Sequence, residues 1–279
     1  MRPPGLLVDP ETVHALADLL GADDLDVAAG APLPPLWHWA ALARWRPWAS
    51  LGRDGHAEDG SLPTRPDLPR RMFAGGSLVV HRPLRIGSTV HVSRSVQDVK
   101  DTEGRSGPLR FVTVRDVVED QDGIALEERQ DIVYRPAPTG PTAATPREPT
   151  SVLPAGPSGL DASAQPWTFT GDAPLLMRFS ALTRNTHRIH YDHPYATGVE
   201  GYEGLVVHGP LLAIVLAETV RRSGAAMHRV DHRGRSALIA GHRGELRTEA
   251  GPDSTRATLS EHDRLCAEIT VHHHIQESP

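Results

Sequence analysis

The chain has 279 residues, 39% of them hydrophobic and 23% charged, with a formal net charge of −6. That length suits two modules of about 130 residues better than one compact domain, and either module is large enough to bury a core without staples. An acidic balance without a basic stripe of interleaved aromatics excludes nucleic acid as a partner. The single cysteine, Cys266, excludes an internal disulfide framework and fits a reducing cytoplasm; its alternating surroundings predict a buried strand residue. Met1-Arg-Pro-Pro-Gly leads into no apolar signal region. The longest apolar run, Leu205 to Ala217, is broken by His208, Gly209 and Pro210 and falls short of the roughly 20 residues of a bilayer span. The expectation is a soluble cytoplasmic protein with no membrane partner.

The first predicted element is a short helix after Asp9. Asp9 caps it, Pro10 suits its first turn, Val13, Leu16, Ala17 and Leu20 share a face, and Gly21 stops it. Pro32 to Trp48, rich in Trp and Ala, reads as a degenerate helix lying on a sheet. Strand-like runs then follow at Leu78 to Leu84, Thr89 to Val96, Arg110 to Val118 and Leu126 to Tyr134, separated by turn signals at Ile86-Gly-Ser, Glu103-Gly-Arg-Ser-Gly and Gln121-Asp-Gly.

Between Arg135 and Pro166 lie eight of the 25 prolines and almost no large apolar residue, a composition that cannot build a core. Residues 136–166 are therefore expected to link an N-terminal module (1–135) to a C-terminal one (167–279). The second module opens with a strand at Trp167 to Thr170 and a helical stretch around Leu175 to Leu182. It continues with an apolar helix from about Pro210 to Arg222. Strands are predicted at Ala237 to Ala240, Gly244 to Glu249, Ser254 to Ser260 and Arg264 to His272. Helix followed by antiparallel strands marks an α+β layer. A helix apolar on nearly every face must be wrapped on several sides, which a curved sheet around one central helix achieves.

Two segments carry chemistry. Asn185-Thr-His187-Arg-Ile-His190-Tyr-Asp192, with His193 next, concentrates groups that move protons near neutral pH. Gly204-Leu-Val-Val-His208-Gly209-Pro210 feeds the apolar helix, and the unsatisfied amides of that first turn, Gly209's included, face outward at the positive end of the dipole. An acyl thioester oxygen can dock there. A metal centre at His187, His190 and His193 is disfavoured: that spacing drifts around a helix axis, Pro194 ends the run, and no Cys or Glu accompanies it. No cofactor and no metal are expected.

Phe179 to Ala196, containing Asn185, His187, His190 and Asp192, together with Gly204-Leu-Val-Val-His208-Gly209-Pro210-Leu, resembles the MaoC-like hotdog-fold enoyl-thioester hydratases and dehydratases. The closest likeness is to the branch that includes mesaconyl-C4-CoA (3-methylfumaryl-CoA) hydratases. In the first half, Pro34-Pro-Leu-Trp37-His-Trp, Leu68 to Gly76, His81 to Gly87, Gly104-Arg-Ser-Gly-Pro-Leu and Gln130-Asp-Ile-Val-Tyr134 are similar to that branch in the same order. The resemblance implies a double hotdog, its N-terminal module degenerate, and a homodimer or a pseudo-dimer within one chain.

It also implies roles. The family's motif is Asp-x-Asn-Pro-x-His. His190 matches its histidine, Asn185 stands where its aspartate stands, His187 replaces its asparagine, Arg188 replaces its proline, and Gly209 matches the oxyanion-hole glycine. An Asn amide orients water but exchanges no proton, so His190 needs a proton-transfer partner, His187 first and Asp192 second. The implied reaction is reversible hydration of a 2-enoyl thioester, the 3-hydroxyacyl thioester being dehydrated in reverse. The acyl group is carried on CoA or acyl carrier protein, a branched dicarboxylic one such as mesaconyl-CoA included. Arg184 and Arg188, with Asp192 and His208, are expected to contact substrate. A hotdog acyl-CoA thioesterase and a non-catalytic acyl-thioester-binding subunit stay open as alternatives.

Overall fold

The computed structural model describes residues 4–58, 60–104, 107–137 and 158–274. In chain order these form β1 (Leu6–Leu7), α1 (Pro10–Leu20), α2 (His38–Ala41), β2 (Arg70–Val80), β3 (Thr89–Gly104), β4 (Gly107–Asp120) and β5 (Gly123–Arg135). After the undescribed stretch come β6 (Gly159–Asp161), β7 (Trp167–Thr170), α3 (Ala173–Leu182), α4 (His193–Gly198), α5 (Gly209–Arg221), β8 (Arg229–Gly234), β9 (Arg243–Ala250), β10 (Ser254–Glu261) and β11 (Arg264–His272). The strands make one antiparallel sheet in the order β1-β3-β4-β5-β2-β8-β11-β10-β9-β7-β6. The first five positions come from residues 6–135 and the other six from 159–272, with β2 against β8 as the seam. The α+β class read from the sequence is the class observed.

Local signals place the helices. In α1 the Asp9 carboxylate accepts the Glu11 amide at 3.2 Å, and Gly21 ends the helix at φ 60°, a conformation glycine adopts without steric penalty. The degenerate helix expected over Pro32 to Trp48 reduces to the four residues of α2 and a 3₁₀ turn at Trp48–Ser50. Trp37, just before α2, is fully buried. By contrast α5 runs 13 residues and buries every residue from Leu211 to Val220, packed on β8, β9, β10 and β11. Cys266 is buried in β11.

Three expectations are corrected. Ala237 to Ala240 is no strand: it makes a single bridge, Val206 to Ile239, and hydrogen bonds to the segment ahead of α5. The strand of that region is β8, whose alternation rests on Val230 and His232 alone, with Arg229 and Arg233 exposed, too few apolar residues to announce it. The first-half strand placed at Leu78 to Leu84 instead occupies Arg70–Val80. Its Gly75-Gly76 pair reads as a break, yet a Cβ on Gly76 would stand 2.0 Å from the Arg129 carbonyl oxygen; glycine lets β2 close against β5. Most of the expected linker lies outside the described residues, but its end is structured, since Gly159–Asp161 pairs with β7.

A buried ion pair ties the halves together: the Arg70 guanidinium on β2 donates to the Glu200 carboxylate and, at 2.8 Å, to the Glu200 carbonyl beyond α4. Both side chains are under 9% exposed, so each needs the other. Among the described residues no helix is long and apolar enough to cross a membrane.

Candidate active site

A cavity of about 1000 Å³ opens between the two halves of the molecule. Its wall includes Asn185, His187, His190 and Gly209, and, from the first half, His56, Arg71 and Phe73. Five of the residues predicted from sequence, Arg184 included, are thus brought together.

The histidine segment is shaped by short-range devices. Arg184 leaves α3 at φ 52°. The Asn185 Oδ1 atom then accepts the His187 amide at 2.9 Å, an Asx turn that leads into the 3₁₀ turn Arg188–His190. With Oδ1 engaged, Asn185 has its amide N–H groups left to offer to the cavity.

His190 is buried at 6% exposure, and its Nδ1 lies 2.7 Å from the Val206 carbonyl oxygen. A carbonyl only accepts, so Nδ1 carries the proton and Nε2 holds the lone pair. Burial pushes the His190 imidazole down to about 3, so it is neutral at physiological pH, the form a general base requires. His208 stacks on its ring at a centroid distance of 3.5 Å and 17°, and Ser180 Oγ holds the His208 Nε2 at 2.8 Å. His208 is fully buried and absent from the cavity wall. It backs His190 from behind the cavity wall, where the sequence expectation had it among the substrate contacts.

Gly209 is the first residue of α5. Among the described residues no acceptor is bonded to its amide, which points from the positive helix end. A Cβ here would meet the Phe73 ring at 3.1 Å, so glycine keeps the approach to that amide open.

Asp192 and Arg188 are turned to other work. Asp192 caps α4 by accepting the Tyr195 amide at 3.1 Å, and the Arg188 guanidinium donates to the same carboxylate at 2.7 Å while lying over the Tyr195 ring. Neither lines the cavity, although both were expected from sequence to contact substrate. Arg184 does line it, lying over the Trp45 ring and donating to the Ala181 carbonyl. Arg178 is exposed on α3, and His193 is exposed at the start of α4.

His187 differs from expectation in its chemistry. Its ring is pressed between two other imidazoles, His56 at 4.1 Å and His190 at 5.4 Å between centroids. Its nearest carboxylate oxygen, on Asp54, is 4.0 Å from Nε2. Burial, then the neighbouring His56 and His190, push it to about 2. A group so hard to protonate is a poor proton donor.

Sequence reading missed the loop that faces His187. Asp54 Oδ2 lies 2.9 Å from His56 Nδ1, and its Oδ1 accepts the His56 amide at 2.9 Å. Burial alone would raise Asp54, but the side-chain and backbone hydrogen bonds from His56, with the charges of His56 and His187, together hold it at about 2. The loop is clasped to the histidine segment: the Arg188 amide donates to the Asp54 carbonyl at 2.9 Å, and the Thr186 hydroxyl to the Gly55 carbonyl at 2.5 Å. Ligand atoms of Asp54, His56 and His187 lie within 4.8 Å of one another, a spacing open to a metal ion. The 2.9 Å contact between Asp54 Oδ2 and His56 Nδ1 makes the first two of them a carboxylate–histidine pair. Gly52-Arg-Asp54-Gly55-His56 reads locally as an ordinary turn.

A curved antiparallel sheet wrapped on one long buried helix, repeated in degenerate form, defines a double hotdog. The chain aligns over 97% of its length with 98% of the crystal structure of HtdX of Mycobacterium tuberculosis, at a TM-score of 0.66 and 17% identity. A second Mycobacterium tuberculosis protein, described as having a double hotdog fold, aligns over 96% of this chain and 92% of its own at a TM-score of 0.54 and 16% identity. The model of the hydroxyacyl-thioester dehydratase type 2 family matches residues 36–240, and the chain belongs to that family. Over 193 residues it is 45% identical to the mesaconyl-C(4)-CoA hydratase of Chloroflexus aurantiacus, covering 69% of this chain and 66% of that protein.

Proposed function

We propose that the protein catalyses reversible hydration of a 2-enoyl thioester. One observation carries this reading: a neutral His190, its tautomer fixed by Val206, and the unbonded amide of Gly209 face one cavity. Water, oriented by the Asn185 amide, gives its proton to His190 Nε2 as its oxygen bonds to C3. The electron pair displaced from the double bond moves onto the thioester oxygen, where the Gly209 N–H and the α5 dipole stabilise it. Hydrolysis of the thioester fits less well, because Asp192, the only carboxylate of the motif, is committed to its cap and ion pair outside the cavity.

The cavity wall favours an anionic substrate. Eight arginines line it and no aspartate or glutamate does, in a chain of net charge −6. Phosphates of CoA and a carboxylate on the acyl chain both suit such a wall. Arg135 is the arginine best placed for an acyl carboxylate. It is half-buried, its side chain donates to the Met72 sulfur at 3.5 Å, and burial lowers its pKa. Among the described residues no carboxylate stands within ion-pair distance of it. We assign the acyl group to the dicarboxylic class named for the Chloroflexus relative, CoA-linked. The two halves of this one chain supply what two subunits of a homodimer would, and the unpaired Cys266 suits the cytoplasm.

The test is turnover of crotonyl-CoA, mesaconyl-CoA and itaconyl-CoA by the wild type and Arg135→Gln. Losing one charged hydrogen bond, about 1.5–3 kcal/mol, raises KM for the dicarboxylic thioesters about 10- to 100-fold and leaves crotonyl-CoA unchanged. An equal effect on both classes would remove Arg135 from the carboxylate site, and an inert wild type would remove the hydratase reading.

A further inference from the structure

Hydration needs a second proton-transfer group, and the residue standing where the family has an aspartate, Asn185, exchanges no proton. In hydration His190 takes the water proton and so does not supply the one at C2, and His187 is pressed between two imidazoles with no carboxylate within hydrogen-bond distance. The cavity has one histidine with such a partner. His56 lines the wall, and its Nδ1 meets Asp54 Oδ2 at 2.9 Å.

Resting on the hydratase reading, we propose that Asp54 and His56, supplied by the N-terminal half, are the proton-donating pair of this site, His56 as the catalytic acid toward C2 and Asp54 as its positioning residue. With Nδ1–H given to Asp54, Nε2 is the atom that exchanges a proton with substrate. The arrangement is general for an imidazolium that must be stabilised: a carboxylate behind the ring fixes its orientation and balances the charge.

The step balances. An O–H bond of water breaks, its proton passing to His190 Nε2, and its oxygen bonds to C3. The π electrons move onto the thioester oxygen at Gly209. The Nε2–H bond of His56 then breaks, its proton bonds to C2, and the carbonyl re-forms. The protein is left with the proton on His190 and His56 neutral. Proton exchange with solvent returns both groups to their starting state. In dehydration each transfer runs backwards.

The groups that face His56 set its titration. Burial, the largest influence, and Arg71 on β2 hold it below the ordinary histidine value; Asp54 on its own loop and Glu200 beyond α4 favour the imidazolium and oppose that shift. Asp54 is the one in hydrogen-bond contact. Removing its charge therefore moves His56 ionisation to lower pH. Because hydration needs His56 protonated, the alkaline limb of the kcat profile shifts to lower pH.

The experiment compares wild type, His56→Gln and Asp54→Asn in hydration of the best enoyl-CoA substrate across pH, with thermal unfolding alongside. His56→Gln lowers kcat about 10²- to 10⁴-fold, the range for a lost general acid, with KM little changed. Asp54→Asn keeps the oxygen that accepts the His56 amide, lowers kcat less, and moves the alkaline limb to lower pH; Asp54→Glu restores the limb. If His56→Gln fails to fold, the Asp54→Asn profile decides. Wild-type kcat in His56→Gln, or an unmoved alkaline limb in Asp54→Asn, overturns the pair while leaving the hydratase reading intact. A wild type inert on every enoyl-CoA overturns that reading and the pair with it.

Discussion

His190→Gln lowers kcat for enoyl-thioester hydration about 10²- to 10⁴-fold, the range typical of a lost general base, and leaves KM nearly unchanged. The side chain acts through one atom. Its Nδ1 is committed to the Val206 carbonyl at 2.7 Å, so only Nε2 accepts the water proton, and glutamine offers no basic nitrogen. Burial, which holds the imidazole at about 3, keeps the base neutral throughout the physiological range. Because His208 lies flat behind the ring at 3.5 Å, glutamine fits the space and the fold is retained. Steady-state kinetics with circular dichroism check both statements. A folded variant keeping more than half the wild-type kcat would take His190 out of the chemistry.

Gly55→Ala is expected to damage the site from its far side. Gly55 sits at φ 91°, and a Cβ there would stand 1.9 Å from the Thr186 carbonyl oxygen. The positive φ alone costs an L-residue about 1–2 kcal/mol, and the overlap with backbone forces the loop off the histidine segment. Two clasps go with it: Thr186 Oγ1 to the Gly55 carbonyl, and the Arg188 amide to the Asp54 carbonyl. A total loss of about 3 kcal/mol corresponds to a melting point lower by roughly 6–12 °C for a chain of this size class. Activity falls about 10²-fold or more, since His56 is displaced and the Asn185–His190 turn loses its support. Differential scanning calorimetry and turnover read the two effects. Wild-type melting and wild-type kcat together would mean that the clasp is unimportant.

Legibility in the sequence followed the range of the forces involved. The α1 helix is announced by its own cap, Asp9, and its own stop, Gly21. The α5 helix is announced by an apolar run that needs a sheet around it. His190 and Gly209 belong to contiguous motifs, and the structure sets both on the cavity wall. What was hidden depends on contacts distant in the chain. Nothing local in Gly52 to His56 distinguishes a solvent turn from a catalytic loop; the hydrogen bonds that decide it come from Thr186 and Arg188, more than 130 residues away. The commitment of Asp192 to the α4 cap was locally readable, since an aspartate two residues before Pro194 is a helix-start signal, and its chemistry was overvalued beside the histidines. Likewise β8 hides because a strand at the sheet's seam, holding only Val230 and His232 inward, has little hydrophobic pattern of its own.

The central claim is addition of water across the double bond, with the thioester kept intact. Incubating the wild type with mesaconyl-CoA in heavy-oxygen water and analysing the product by mass spectrometry tests it most directly. The account predicts an intact 3-hydroxyacyl-CoA carrying one heavy oxygen at C3 and no release of free CoA. Free CoA with the label in the acyl carboxylate, or no incorporation at all, would contradict it.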